Sequence, residues 1–343
     1  MRFFQYQAQA RSQTRGLLLL FALTVCGLVL AMNVSLALTW QLVRLVLNGT
    51  VTGYPAYFFA VNTGVTLLFV LGGWWLETSS LEGASGGDKL ARRAGAREAR
   101  PAGNDAERRL CNIIDELAIA ASMAPPQAMV LDRVDAINAF AAGWHANDAV
   151  VAVTRGALDQ LTRDELQGLI AHELSHIREG DTRLNMHLAG MVLGLELVFN
   201  LGRNMCAQDD DGHYRFTALP GLAVMACGSL GWLGGRVLKA ATSRQREFLA
   251  DARAVQFTRS KDGLGSVLRK VAGEDAGFSP RHFNPAVHHM LLVGVSGSDK
   301  AGWLSTHPPL AERIRRIYGR PMPPMPPMPP QRDGESKRLG AFF

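Results

Sequence analysis

Two long apolar runs without a charged side chain lie near the start of the chain, and they constrain its fold more than any other feature. They cover residues 16–38 and residues 55–76. An α-helix rises 1.5 Å per residue, so the first run would be about 34 Å long, enough to cross a hydrocarbon layer of about 30 Å. Two such runs in succession predict a transmembrane hairpin within residues 1–81.

Aromatic residues at the ends of the second run support this interpretation. Tyr54 and Tyr57 lie at its start, and Trp74 and Trp75 lie at its end, as aromatic side chains do at a membrane interface. The alternative for the first run is a cleaved signal peptide. Its apolar core would be shorter and would end at a cleavage site of small residues.

The net charge of +6 is concentrated next to the apolar runs. Three arginines precede the first run, only Arg44 lies between the runs, and Arg92, Arg93, Arg97 and Arg100 come after the second. The positive-inside bias of membrane proteins explains this pattern more simply than nucleic-acid binding does, so we expect no nucleic-acid partner. We expect a multi-pass protein of the inner (plasma) membrane, with its N-terminus and the domain that follows the hairpin in the cytoplasm.

A change in composition separates the hairpin from the rest of the chain. Residues 82–105 are rich in glycine, alanine, arginine and glutamate and have no apolar period, which predicts a partly disordered linker. Helical spacing begins in residues 106–121, and short β-type runs lie at 127–131, 136–142 and 150–154. The sequence therefore predicts an α+β domain, mainly helical, from residue 106 to residue 318.

Two weaker apolar blocks interrupt this domain, at 184–202 and 217–238, so that an inserted helical pair is expected at about 184–238. The second block is rich in glycine, which allows close helix packing in lipid. Burial inside a soluble domain is the alternative to membrane insertion. The Pro/Met-rich tail, residues 319–343, cannot form helix or sheet where prolines cluster, and we interpret it as an extended spacer.

The sequence HELSH at residues 172–176 carries the chemistry. Two histidines four residues apart lie on one face of a helix and can bind one zinc ion. Glu173 is placed to take a proton from a zinc-bound water and would be the catalytic base. Thr162 and Glu165 form a capping box that predicts where this helix begins, and Gly180 is suited to end it. The four cysteines show no CxxC spacing, so a cysteine zinc site is not expected.

A catalytic zinc needs a third protein ligand, and the extended motif HExxHxxGxxH is absent. Glu247 is the best candidate, and it shares one helix face with Asp251. One carboxylate can bind the metal while the other holds a ligand histidine through its second ring nitrogen. Spacing alone leaves open a solvated helix face with arginine partners.

Four stretches together resemble the HtpX-type membrane metalloproteases, relatives of the CAAX prenyl proteases. They are LIAHELSHIREGD, SRQREFLADARA, INAFAAG and STHPPLAERI, and the resemblance covers about residues 106–318. It implies a zincin-like domain with one zinc per chain, Glu247 as the third ligand and Asp251 as its support. It also implies a transmembrane pair between the two metal motifs.

The same resemblance indicates contacts beyond the metal. Asn138 and Phe140 resemble the edge strand that lines the family's cleft, where a substrate can bind as an added strand. An ordinary sheet strand is the alternative. His307 could approach the cleft and stabilise the oxyanion, or it could be a surface histidine before a Pro-Pro turn.

The sequence thus predicts a zinc metalloendopeptidase of the lipid bilayer that cleaves peptides or proteins. The resemblance implies misfolded or damaged membrane proteins as substrates, in quality control and stress response. A proteolytically inactive scaffold or chaperone with the same fold is the alternative. A prenyl-peptide protease is a further alternative, although four spans are few to enclose a lipid chamber.

Overall fold

The computed structural model describes residues 2–46, 53–83, 85–208, 217–241, 244–273, 290–292 and 307–326. The chain divides into two compact units. One consists of Met1–Ser80 and His187–Thr242, and the other of Leu81–Met186 and Ser243–Phe343. We call them the apolar unit and the catalytic unit. Helices predominate in both, which confirms the mainly helical α+β class.

The secondary-structure elements are numbered along the chain. The helices are α1 (Arg2–Val46), α2 (Phe58–Leu81), α3 (Gly86–Arg93), α4 (Asp105–Ala121), α5 (Arg155–Gln160), α6 (Arg163–Glu179), α7 (Asp181–Met205), α8 (Ala218–Ala241), α9 (Arg244–Thr258), α10 (Asp262–Gly273) and α11 (Leu310–Tyr318). The strands are β1 (Arg97–Glu98), β2 (Gln127–Leu131), β3 (Ala139–Ala142) and β4 (Val150–Thr154).

Helices α1, α2, α7 and α8 each contain a stretch long and apolar enough to cross a membrane. These stretches are Leu18–Val46, Phe58–Leu81, Asp181–Met205 and Pro220–Ala240. Large apolar side chains on α1 and α2 point outward, with Leu30 67% and Leu68 70% exposed. So much exposed apolar surface suits a lipid environment rather than water.

Glycines on α8 let the apolar helices approach closely. A Cβ atom added at Gly228 would lie 2.5 Å from the backbone of Phe199 on α7, and one at Gly231 would lie 2.8 Å from the carbonyl oxygen of Leu195. Both distances are shorter than the contacts that real Cβ atoms make, so a larger residue at either position would push the helices apart. Small residues at helix interfaces serve this purpose in membranes, where backbone packing replaces the hydrophobic effect.

The strands of the catalytic unit form a sheet in the order β1-β2-β4-β3 within the described residues. Strand β2 is parallel to β4, whereas β1 pairs antiparallel with β2 and β3 pairs antiparallel with β4. This order leaves β3 at an edge. Helices α4, α6 and α10 bury a shared apolar core, which includes Ile113, Leu169 and Leu268.

The predicted ends of α6 are confirmed. The Thr162 side chain accepts a hydrogen bond from the Glu165 amide, and the Glu165 carboxylate accepts one from the Thr162 amide. Gly180 ends the helix in the left-handed region, at φ 77°. These local caps fix the register of the helix that carries the HELSH sequence.

Residues 82–105 contain more structure than the linker that the sequence predicted. They include α3 and β1, and β1 pairs with β2. Leu90 is buried, and a Cβ atom added at Gly87 would lie 2.7 Å from the carbonyl oxygen of Ala142. The contacts are made mainly by small residues, so the stretch shows no period of large apolar side chains.

The described part of the tail lies along α10. Arg269 donates from Nε to the carbonyl oxygen of Pro323, and the Met325 amide donates to the carbonyl oxygen of Arg269. Residues 321–326 form neither helix nor strand, as their prolines predict, and the half-buried side chains are those of Met322 and Met325. Residues 327–343 lie outside the described residues, and the spacer role stays a prediction.

Candidate active site

Helix α6 presents His172 and His176 one turn apart, with their rings facing the same side. Their Nε2 atoms are 3.2 Å apart, and the ring planes are nearly perpendicular at 85°. Elsewhere along the helix, Leu169, Ile170 and Leu174 are fully buried. The apolar residues thus anchor the helix, and the two imidazoles are held in fixed positions.

Helix α9 brings Glu247 to these rings from 71 residues further along the chain than His176. Its Oε2 lies 3.7 Å from Nε2 of His172, and its Oε1 lies 3.6 Å from Nε2 of His176. The three side chains offer ligand atoms that all lie within 4.8 Å of one another. The sequence-based grouping of these three residues is therefore matched by the geometry.

The spacing of these atoms fits a zinc ion. Tetrahedral ligands at about 2.0–2.1 Å from zinc are about 3.3 Å from each other. Here the two Nε2 atoms are 3.2 Å apart, and the nearer carboxylate oxygen of Glu247 is a different one for each histidine, at 3.6 Å from His176 and 3.7 Å from His172. Two imidazole nitrogens and one carboxylate oxygen also form the donor set of a catalytic zinc site with a fourth position for water or substrate.

Each histidine has a carboxylate behind it. Asp251 Oδ1 lies 3.1 Å from Nδ1 of His172, and Asp181 Oδ2 lies 2.9 Å from Nδ1 of His176. In the tautomer that these contacts require, Nδ1 carries the proton and Nε2 is left as the metal-facing atom. The placement of Asp251 agrees with its predicted supporting role, while Asp181 was not identified from the sequence.

Arg313 on α11 supplies a fully buried positive charge beside the carboxylates of Asp251 and Glu247. It donates two hydrogen bonds to Asp251 and one to the carbonyl oxygen of Leu292, and its Nη1 lies 3.1 Å from Oε2 of Glu247. Burial alone would raise the pKa of Glu247, but Arg313, His307 and His172 together outweigh it and hold that pKa below its ordinary range. Glu247 therefore stays ionised, as a metal ligand must.

Glu173 is buried, at 1% exposure, beside the two histidines. Burial raises the pKa of its carboxyl group to about 7. The Ala141 amide lowers this pKa slightly, yet neither carboxylate oxygen meets hydrogen-bond geometry with another described residue. A carboxyl group with a pKa near neutrality and no competing partner is suited to accept and release a proton.

The pKa values of the two histidines are shifted in opposite directions. Burial lowers the pKa of His172. Burial would lower the pKa of His176 as well, but the hydrogen bond with Asp181 and the charge of Glu247 raise it to about 9. A metal at this site would therefore compete with a proton on His176.

His307 lies inside the site region rather than at the surface. It is 7% exposed, and its Nδ1 is 3.6 Å from Oε2 of Glu247. This position is compatible with the predicted contact to an oxyanion and disagrees with a surface histidine. The contact itself stays a prediction.

Asn138, directly before strand β3, and Phe140, within it, both have their backbone groups directed toward β4. The Thr154 amide donates to the carbonyl oxygen of Asn138, and Phe140 is fully buried opposite Ala152. This register turns the backbone groups of Ala139 and Ala141 away from β4, and the Leu292 amide donates to the carbonyl oxygen of Ala139. The contact of Asn138 and Phe140 with a substrate stays a prediction. The backbone groups that point to the outer edge of the sheet are those of Ala139 and Ala141.

Two residues of the site, Arg313 and Asp181, were not identified from the sequence, because the sequence around each gives only a weak indication of its role. Arg313 lies within the STHPPLAERI stretch, but an arginine on a short helix usually points to solvent. Asp181 comes directly after the glycine that ends α6, in a position typical of a loop acid. Tertiary contact gives both residues their role.

Comparison with known proteins matches the part of the chain that forms this site. A profile described as peptidase family M48 matches residues 104–320. A Protease HtpX homolog of Dictyoglomus turgidum is 36% identical over 216 residues, which cover 61% of this chain and 68% of that protein. One from Acidiphilium cryptum is 34% identical over 268 residues, covering 74% and 92%, and Protease HtpX of Legionella pneumophila is 32% identical over 212 residues, covering 60% and 74%.

Proposed function

The chain belongs to peptidase family M48, and from that premise we propose that His172, His176 and Glu247 bind one zinc ion in its catalytic centre. The family and the HtpX relatives make the chain a membrane metalloendopeptidase. The observation that carries the zinc assignment is the convergence of the two Nε2 atoms, 3.2 Å apart, with the Glu247 carboxylate, whose two oxygens lie 3.7 Å from His172 Nε2 and 3.6 Å from His176 Nε2. The donor set and the spacing are those that zinc prefers.

A bound zinc would polarise the carbonyl group of the scissile peptide bond and would lower the pKa of a bound water to about 7. Glu173 accepts the proton of the attacking water at a carboxylate oxygen and later passes it to the leaving amine. Its pKa of about 7 suits both steps, because the group can be ionised before attack and protonated after it. The surrounding burial keeps bulk water from competing for that proton.

The residues around the proposed zinc ligands hold them in the required state. Asp251 orients His172, and Arg313 keeps the carboxylates of Glu247 and Asp251 ionised. His307, near Glu247, is placed to donate to the oxyanion that develops during hydrolysis. A peptide could be held by main-chain hydrogen bonds along the outer edge of β3, through Ala141 and its neighbours.

We infer that the catalytic unit faces the cytoplasm from the inner membrane. Support comes from the arginines that flank the first two apolar helices and from the order of the elements. Helices α7 and α8 lie between the two metal motifs in the sequence, and an even number of crossings returns both motifs to one side. A site tethered at the bilayer meets membrane-proximal chain first, so misfolded or damaged membrane proteins are the proposed substrates.

The test is the Glu173→Gln variant of the full-length protein in detergent or proteoliposomes. It should bind zinc like the wild type and lose cleavage of an unfolded membrane-protein substrate. Glu179→Gln is the matched control, because Glu179 lies on the same helix and its carboxylate pairs with Arg253. Wild-type cleavage by Glu173→Gln would contradict the mechanism. Zinc binding without cleavage by any form would favour the scaffold alternative.

A further inference from the structure

Asp181 is the first residue of α7, and its two carboxylate oxygens have different partners. Oδ2 lies 2.9 Å from Nδ1 of His176, and Oδ1 pairs with the guanidinium of Arg246. The side chain is buried, at 7% exposure of the residue. Gly180, in the left-handed conformation, turns the chain between the two helices so that Asp181 comes back against His176.

Arg246 brings the second ligand helix into this contact. It lies in the first turn of α9 and immediately precedes Glu247. Asp181 therefore links the helix that carries the two histidines to the helix that carries the third ligand. The carboxylate holds His176 directly, and through Arg246 it holds the backbone next to Glu247.

We propose that Asp181 and Arg246 are a positioning pair, which orients the His176 ring toward the metal and fixes the start of α9 beside it. This inference rests on the proposed zinc site. Outer partners of metal-bound histidines fix the ring orientation and the tautomer, and their loss typically weakens metal affinity about 10–100-fold. Asp251 has the corresponding contact with His172, so each histidine is held by its own carboxylate.

A second ion pair, which joins α6 to α9, separates positioning from general stability. Arg253 on α9 lies 2.8 Å from Glu179 on α6, one residue before the Gly180 turn. This pair is similarly shielded, with side chains 20% and 17% exposed. Loss of this pair should affect the packing of α6 against α9 without changing the orientation of either proposed ligand histidine.

The experiment measures zinc affinity of the full-length protein by competition with a chelating dye, in wild type, Asp181→Asn, Arg246→Gln and Glu179→Gln. We expect about 10–100-fold weaker binding in Asp181→Asn, a smaller loss in Arg246→Gln, and wild-type affinity in Glu179→Gln. Cobalt(II) at saturating concentration gives a second readout. Its visible absorption should shift in Asp181→Asn, because the His176 ring is no longer held.

The outcomes distinguish this inference from the proposed function. Stoichiometric zinc in the wild type, with unchanged affinity and cobalt spectrum in Asp181→Asn, would overturn the positioning role alone. Failure of the wild type to bind zinc would overturn the metal site itself. If Asp181→Asn does not fold, Arg246→Gln decides. Arg246→Lys, which keeps the charge, should then recover part of the lost affinity.

Discussion

Arg313 donates hydrogen bonds to both carboxylate oxygens of Asp251, at 2.9 and 2.7 Å, and both side chains are buried. Asp251 in turn holds His172, so a guanidinium on the last described helix stabilises the first proposed metal ligand. The same guanidinium lies beside Glu247. Two parts of the site that are far apart in the sequence thus depend on one cation.

Replacement of Arg313 by methionine should destabilise the catalytic unit strongly. The change leaves Asp251 and Glu247 buried without their positive partner, and breaking a buried pair in this way costs about 3–5 kcal/mol. Thermal unfolding of the full-length protein in detergent measures the loss. Arg316→Met is the control, since Arg316 is 55% exposed on the same helix. Equal stability of the two variants would show that Arg313 does not hold the site together.

The Arg97–Glu107 pair predicts a pH dependence of stability. Hydrogen bonds from Arg97 lower the pKa of Glu107 in the folded chain, and they outweigh its burial. The unfolded chain then binds the proton more readily, at a pKa of about 4.3. The stabilisation is complete above that value and is lost as the pH falls toward the folded pKa.

Glu107→Gln should therefore lower the unfolding temperature at pH 7 and reduce its fall between about pH 6 and about pH 3.5. The control is Glu116→Gln on the same helix, because the Glu116 side chain is 50% exposed in its pair with Arg163. Exposed pairs contribute little. A Glu107→Gln variant that follows the wild-type pH curve would exclude this pair as the source of the acid sensitivity.

Gly228→Ala should disturb the packing of α7 against α8. Even the added methyl group would lie 2.5 Å from the backbone of Phe199, so the helices must separate. Overpacking of this kind costs about 1–3 kcal/mol. Gly27→Ala is the matched control, because a Cβ atom there meets nothing within 4 Å. Unfolding in detergent compares the two, and a neutral Gly228→Ala would argue against close contact.

Residues 321–326 should contribute to the stability of the catalytic unit. They bond to α10 through Arg269 and Met325, and α10 packs in the same core as α6. Deletion of residues 321–343 should lower the unfolding temperature more than deletion of residues 327–343. Equal effects of the two deletions would show that the segment 321–326 is not a structural part of the unit.

The sequence predicted those parts of the fold that local signals specify. The capping box at Thr162, the glycine at position 180 and the apolar runs each act over a few residues, and the corresponding helices form as predicted. Strands β2 and β4 also match their predicted bounds. These signals need no knowledge of the rest of the chain.

The remaining features depend on contacts between distant residues. Residues 82–105 pack through glycine and alanine, whose burial leaves no period of large apolar side chains. The roles of Arg313 and Asp181 arise from folding that brings α11 and the start of α7 to the histidines. The site was predictable to the extent that His172 and His176 share one helix, whereas Glu247 needed the family resemblance.

The proposed metal centre is tested most directly by the zinc content of purified, folded protein, measured by elemental analysis in the wild type, in Glu247→Ala and in the control Glu179→Gln. We predict one zinc per chain in the wild type and the control, and a large loss in Glu247→Ala after dialysis against a weak chelator. Stoichiometric zinc in a folded Glu247→Ala variant would contradict this, because Glu247 could not then be the third ligand.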